Sequence, residues 1–393
     1  MTTRARRGQL AVRIGLVLLV AAAIVIVATG ALPLAETDSV LARIAPVLGF
    51  LLVLTALADV CDEVGLFAAA AAYVAYAARG RPRMLFAMWC AVAIVTTWFL
   101  SLDTTAVMLT PVAIGIARQT GARVLPFALA CVWLANSASL LLPVSNLTNL
   151  LAVQALPAGQ SFLALSAAPQ IAVLVVVVGA LLVLHSRTRA QPYEVQRPAP
   201  AGDRLSMAAA AVAAVGTGVA ASAGAPAWLA GLVALCALWA VLAVRGQAPD
   251  PLAIAKRIPV VMAIATTALL IVVAAAAYAL SPLIDQLAVE GNGFGELLGL
   301  AGASAASANL LNNIPVYVAF EPLASTPHPL LALLVGVNAG PLVLLWASLA
   351  NLLWWRTCRS HGVTVPLVRV GVLGAVVAVL SVLAGTAAIW AMA

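Results

Sequence analysis

Apolar positions in this chain run on for about twenty residues at a time, broken by short basic or polar stretches. That is the length a helix needs to cross a hydrocarbon core. The runs are Ala/Leu/Val-rich and lack the two-residue alternation of a membrane barrel. They predict spans over about 10–31, 41–61, 163–185, 205–224, 226–244, 258–281 and 363–391. The first resembles the apolar core of a signal peptide, but it is too long and reads as a retained span.

Four apolar stretches do not read as simple spans. The stretch 84–118 leaves one basic cluster and arrives at another, so it must enter the membrane and return; the polar run Ser101-Leu102-Asp103-Thr104-Thr105 sits at its centre. A second hairpin, 294–324, has the tip Asn309-Leu310-Leu311-Asn312-Asn313-Ile314-Pro315. The stretches 124–157 and 329–356 are interrupted by Pro143-Val144-Ser145-Asn146-Leu147-Thr148-Asn149 and around Asn338-Ala339-Gly340-Pro341, and read as broken helices. Residues 66–78 and 282–296 are expected to be interfacial elements.

The pattern predicts an all-α polytopic membrane protein with about nine full spans, two re-entrant hairpins and two broken helices. An N-terminal span (1–40) precedes repeat 1 (41–185). A cytoplasmic loop with connecting spans (186–257) leads to repeat 2 (258–393). On this topology the hairpins enter from opposite sides, which makes an inverted repeat of the kind secondary transporters use.

Charge sharpens the picture. Only 8% of the 393 residues are charged against 64% hydrophobic, too few to cover a water-soluble protein of this size. The net charge of +7 comes from short clusters between apolar runs, as the positive-inside rule produces, and does not form a nucleic-acid surface. Nineteen of the twenty Lys/Arg fall on the expected cytoplasmic side and Arg43 falls outside, along with Glu36, Asp38, Asp285, Glu290, Glu296 and Glu321. The chain is therefore expected in the cell inner (plasma) membrane, multi-pass, with its N-terminus cytoplasmic. The five cysteines are scattered singly, so neither a disulfide framework nor a metal site is expected. No cofactor or enzymatic constellation is expected either.

Asp103 is the candidate proton-coupling group: a carboxylate at membrane depth is costly to keep charged. The alternative is that it caps the following helix through the amides of Thr105 and Ala106. Ser145, Asn146, Thr148, Asn149, Asn312, Asn313 and Asn338 are candidate solute ligands, because half-helix ends and neutral amides make a polar, uncharged cage. The alternative is that such residues join helices, the favoured reading for Asn136, Ser307 and Ser348. Asp59, Asp62 and Glu63 read as a solvated helix end or a proton antenna.

Five segments together resemble the arsenical pump membrane protein family (the arsenite/antimonite efflux permeases). Leu102-Asp103-Thr104-Thr105-Ala106-Val107-Met108-Leu109-Thr110-Pro111 is similar to the family's Asn-Asp-Gly-Ala…Leu-Thr-Pro segment, and Ser145-Asn146-Leu147-Thr148-Asn149 to its Ser-Asn-Leu-x-Asn break. Asn312-Asn313-Ile314-Pro315 resembles its Asn-Asn-x-Pro. Gly340-Pro341 with Ser348-Leu349-Ala350-Asn351-Leu352-Leu353-Trp354 resembles its Gly-Pro…Ser-Leu-Ala-Thr-Leu-Leu-Trp, and Asp62-Glu63-Val64-Gly65-Leu66-Phe67 its Asp-Glu-Ser-Gly-Phe-Phe.

The resemblance implies the ion transporter superfamily fold and export of arsenite or antimonite in exchange for protons. A homodimer and an optional ATPase subunit are the implied protein partners; the solute, protons and the bilayer are the others. The departures are Leu102 and Thr104, beside Asp103 in the first hairpin, and Asn338 and Leu342, which replace an Asp and a Lys flanking Gly-Pro and leave repeat 2 without its charges. Another solute within the superfamily, by sodium/proton exchange or as a small anion, is the alternative; a carboxylate would want a midplane cation, and every Lys/Arg is peripheral.

Overall fold

The computed structural model describes residues 3–187, 191–195, 203–282, 286, 289 and 291–393, with side chains from residue 14 onward. All secondary structure among them is helical. Helices α1 (Thr3–Thr29) and α2 (Leu34–Glu63) lead to the short α3 (Leu66–Ala77). Gly65 makes the turn between α2 and α3 at φ +80°, a left-handed conformation that favours a residue without a Cβ.

Helices α4 (Pro82–Thr104) and α5 (Thr110–Gln119) make up the first hairpin: the chain reverses at Ser101, within α4, and a π-helical turn at Thr105–Leu109 carries the returning arm into α5. The first broken helix is α6 (Val124–Ser137), a 3₁₀ turn at Pro143–Ser145, and α7 (Leu147–Ala155). Four single helices follow: α8 (Phe162–Ser186), α9 (Arg204–Ser222), α10 (Ala227–Val244) and α12 (Val260–Ala279), with the short α11 (Pro251–Arg257) before the last. The second hairpin is α13 (Phe294–Leu311) with α14 (Asn313–Phe320). The second broken helix is α15 (Pro327–Ala339), a 3₁₀ turn at Leu345–Ala347, and α16 (Leu349–Ser360); α17 (Leu367–Trp390) closes the chain.

The expected fold class is thus the one observed. Seven helical runs among the described residues are long and apolar enough to cross a membrane, one being the whole first hairpin, Pro82–Gln119. Six of the fifteen residues of the element expected over 282–296 lie outside the described residues, Asp285 and Glu290 among them, and its last three already belong to the next helix.

The two repeats match at their irregular points. Each hairpin turns on one non-glycine residue at positive φ, Ser101 (+79°) and Asn312 (+97°). Such backbone costs of the order of 1–3 kcal/mol and persists only where its surroundings enforce it. Each broken helix restarts at an extended residue whose side chain caps the second half: Asn146 accepts from the Thr148 amide, and Ser348 from the Asn351 amide, both at 3.3 Å.

Each hairpin also braces its own repeat's break. The Ser145 hydroxyl donates to the Trp98 carbonyl (3.2 Å). In repeat 2 the Asn312 amide donates to Trp346 (3.1 Å) and the Asn309 amide to Gly340 (2.9 Å). Helix α13 packs on α15 closely enough that a Cβ on Gly336 or Gly340 would overlap Ser304 or Ala305.

Charged contacts gather at the two ends of the bundle. At the basic end Arg257 pairs with Glu63 (2.6 Å), Arg245 with Asp203, and Arg118 donates to the His361 carbonyl (2.7 Å). The Glu63 pair makes that residue a helix-end tie between α2 and α11. At the other end Arg43 of α2 reaches Glu321, just past the second hairpin, and the Leu151 carbonyl of α7.

Candidate functional site

The two breaks are closed crosswise by amides from opposite repeats. Asn338, at the end of α15, donates to Asn149 Oδ1 (3.0 Å); its own oxygen accepts from the Asn146 amide (2.7 Å) and the Thr148 hydroxyl (3.2 Å). Asn136, in the equivalent place at the end of α6, donates to Asn351 Oδ1 (2.8 Å).

Asn149 and Asn351 then perform the same task, each donating to two carbonyls freed by its own break. Asn149 serves Ser139 (2.6 Å) and Leu142 (2.9 Å); Asn351 serves Pro341 (2.8 Å) and Leu344 (2.9 Å). A buried carbonyl without a donor costs about 1–3 kcal/mol, so these amides are what makes a break inside the bundle tolerable. Gln170 of α8 adds a further brace at the first break, accepting from the Leu140 amide (2.9 Å) and donating to the Ser137 carbonyl (3.0 Å).

Beside this network lies a cavity of about 170 Å³. Its polar lining is Thr55 of α2, Ser101, Asp103 and Thr104 of the first hairpin, and Asn146 of the first break. Leu51, Leu54, Met262 and Leu353 supply apolar walls, and no Lys, Arg or His lines it. The space therefore separates the framework helices α2 and α12 from the hairpin and the breaks. The Oδ1 atom of Asp103 is buried without a hydrogen-bond partner, and no side chain caps the π-helical turn that follows. The expected capping alternative is thus not what the carboxylate does here. A carboxylate in such surroundings wants a proton or a cation.

Of the expected ligands, Ser145, Asn146, Thr148, Asn149 and Asn338 come together around the first break, all buried. Only Asn146 also lines the cavity with Asp103. Asn312 and Asn313 lie apart at the second hairpin tip, where Asn312 holds Trp346 and Asn313 accepts from the Ile314 amide (3.0 Å). The tips stand apart because each hairpin is anchored to its own break. Sequence reasoning did not single out Thr55; an isolated threonine in an apolar helix carries no local signal for a wall position. For Asn136, the helix-joining reading is the observed one.

A family model for citrate transporters, CitMHS, matches residues 5–351. No curated protein matches the chain in sequence. Among solved structures, the YdaH transporter of Alcanivorax borkumensis is similar with a TM-score of 0.57 at 14% identity, over 89% of this chain and 86% of that one. At that identity the likeness concerns the fold alone. The matches bear out the membrane-transporter class implied by the sequence resemblance without singling out the arsenical pump. With twin broken helices and twin hairpins around a buried polar centre, the chain belongs to the CitMHS citrate transporter family and is a multi-pass secondary transporter, not an enzyme.

Proposed function

We propose that this protein exchanges protons for a small, uncharged, hydroxyl-bearing solute, with arsenous or antimonous acid as the substrate and export as the direction. The observation that carries the reading is the cavity at the first hairpin tip: one carboxylate, neutral hydroxyls and an amide, and no cationic group. A volume of about 170 Å³ is below the ~300–1,000 Å³ typical of sites for drug-sized ligands, which favours a solute of few atoms. In this reading Asp103 binds the proton, while Asn146 and Thr104 hydrogen-bond the solute. Solute and proton alternate on the same site, which is what couples them. Asn149 and Asn338 support Asn146 from behind, Ser145 and Thr148 hold the first break, which shapes the site, and Asn312 holds the second. The N-terminus is placed in the cytoplasm of the inner membrane, with the basic end of the bundle inward.

A carboxylate substrate is the second reading, favoured by the family match. Against it, a tricarboxylate would enter a space whose only charged side chain is another carboxylate. One experiment separates the two. An efflux-deficient bacterium carrying the protein should accumulate less arsenite than one carrying Asp103→Asn, and proteoliposomes should show no proton-driven citrate flux. Citrate flux with unchanged metalloid accumulation would replace the first reading by the second.

A further inference from the structure

The base of the first hairpin, remote from the solute cavity, carries a second built feature. Arg79 and Gly80 adopt left-handed backbone (φ +51° and +73°) between α3 and α4. The segment 191–195 lies across them. The Tyr193 amide donates to the Gly80 carbonyl (3.4 Å) and its hydroxyl to the Ala75 carbonyl (2.6 Å). A Cβ on Gly80 would meet the Tyr193 carbonyl at 2.8 Å, so only glycine lets this segment lie so close.

Under it opens a cavity of about 620 Å³ lined by Arg79, Arg81, Arg83, Met84 and Ser186. None of these three arginines pairs with a carboxylate among the described residues; the ion pairs there are Arg43–Glu321, Arg245–Asp203 and Arg257–Glu63. Three unneutralised guanidinium groups around one cavity make an anion site, and planar guanidinium groups suit a phosphate in particular.

One turn further along α4 lies a largely apolar groove of about 390 Å³ between α3, α4 and α9, with Thr96 among its lining residues. Tyr73, Met88, Val95 and Val215 line it, and no charged side chain does. Met84 in the basic cavity and Met88 in the groove are one helical turn apart on one face of α4. From Met84 to Val95 the helix rises about 16 Å, close to the ~15 Å depth of one leaflet's hydrocarbon. A basic cavity, with an apolar groove one leaflet deep beginning one helical turn further along α4, matches the two ends of a phospholipid.

We propose that this site binds an anionic glycerophospholipid, its phosphate among Arg79, Arg81 and Arg83 and one acyl chain along α4. A zwitterionic lipid would bring its ammonium group against the arginines and is disfavoured. The bound lipid ties the base of the first hairpin to α3 and to the segment 191–195.

The test is native mass spectrometry and thermal unfolding of the full chain in detergent. Phosphatidylglycerol and phosphatidylcholine with identical acyl chains are compared with inorganic phosphate. Phosphatidylglycerol should be retained about tenfold better than phosphatidylcholine and should raise the Tm. Arg81→Gln and Arg83→Gln, each alone at an exposed position, should erode that preference, and the double variant should abolish it. Arg356→Gln/Arg359→Gln, at basic residues outside the cavity, should leave it intact. Equal retention of the two lipids would overturn the proposal, as would undiminished preference in the double variant. Inorganic phosphate raising the Tm as far as phosphatidylglycerol would also overturn it, by showing a site for free anions.

Discussion

Asn146 donates its side-chain amide to Asn338 Oδ1 at 2.7 Å, across 192 positions of sequence. The bond joins the first break to the end of α15, so each repeat completes the interior of the other. Removing Asn338 would strand Asn149 Oδ1, the Thr148 hydroxyl and one hydrogen of the Asn146 amide, all buried. At about 1–3 kcal/mol per stranded buried group, Asn338→Ala should lower the Tm of the purified protein by several degrees. Asn136→Ala should do the same through Asn351, and the two losses should be roughly additive, since the networks are separate. Unaltered unfolding of Asn338→Ala would mean that the crosswise amides add nothing to stability.

Asp103→Asn keeps the size of the side chain and removes the titrating group. A neutral amide is cheaper to bury than a carboxylate, so expression and Tm should hold or rise. Gradient-driven flux in proteoliposomes should fall at least a hundredfold, while counterflow of solute between the two sides persists. Wild-type flux with wild-type pH dependence would take the coupling role from Asp103 and turn attention to Asp59, the buried acidic residue of α2.

The Arg43–Glu321 pair links α2 to the end of the second hairpin, with the Tyr317 hydroxyl donating to Glu321 Oε1 at 2.8 Å. Arg43→Glu sets two carboxylates together and should cost about 1–2 kcal/mol, less than for a fully buried pair because the Arg43 side chain is 35% exposed. The swap Arg43→Glu/Glu321→Arg should recover most of that loss. Thermal unfolding of the three proteins reads this directly, and a swap no better than the single change would show that the pair has no energetic role.

Trivalent arsenic favours thiols, yet no cysteine lines the Asp103 cavity, and Cys61, Cys90, Cys131 and Cys358 are buried elsewhere. A transporter also needs weak, exchangeable contacts. With arsenous acid as the proposed solute, a cysteine-free variant is therefore expected to match the wild-type protein in metalloid accumulation assays. Selective loss of that activity in a variant that still folds would place thiols in the path.

Periodicity and charge alone determined a great deal here. Twenty-residue apolar runs admit only membrane-crossing helices, and basic clusters at both ends of 84–118 force a hairpin. Polar or proline-bearing interruptions mark the breaks, because unpaired backbone at membrane depth needs side-chain partners. Those are local constraints, and a single stretch of chain expresses them. Which polar residue meets which was decided only in three dimensions. Seven neutral residues read as equivalent ligands, yet Asn338 spends its amide on Asn149, Asn149 spends its own on freed carbonyls, Asn312 holds Trp346, and of the seven Asn146 alone stands beside Asp103. Nor did any local pattern reveal Thr55 as a wall of that cavity. The reason is physical: hydrogen-bond satisfaction is settled between segments some two hundred residues apart. One sequence states that an amide is available and leaves its partner to the packing of the two repeats.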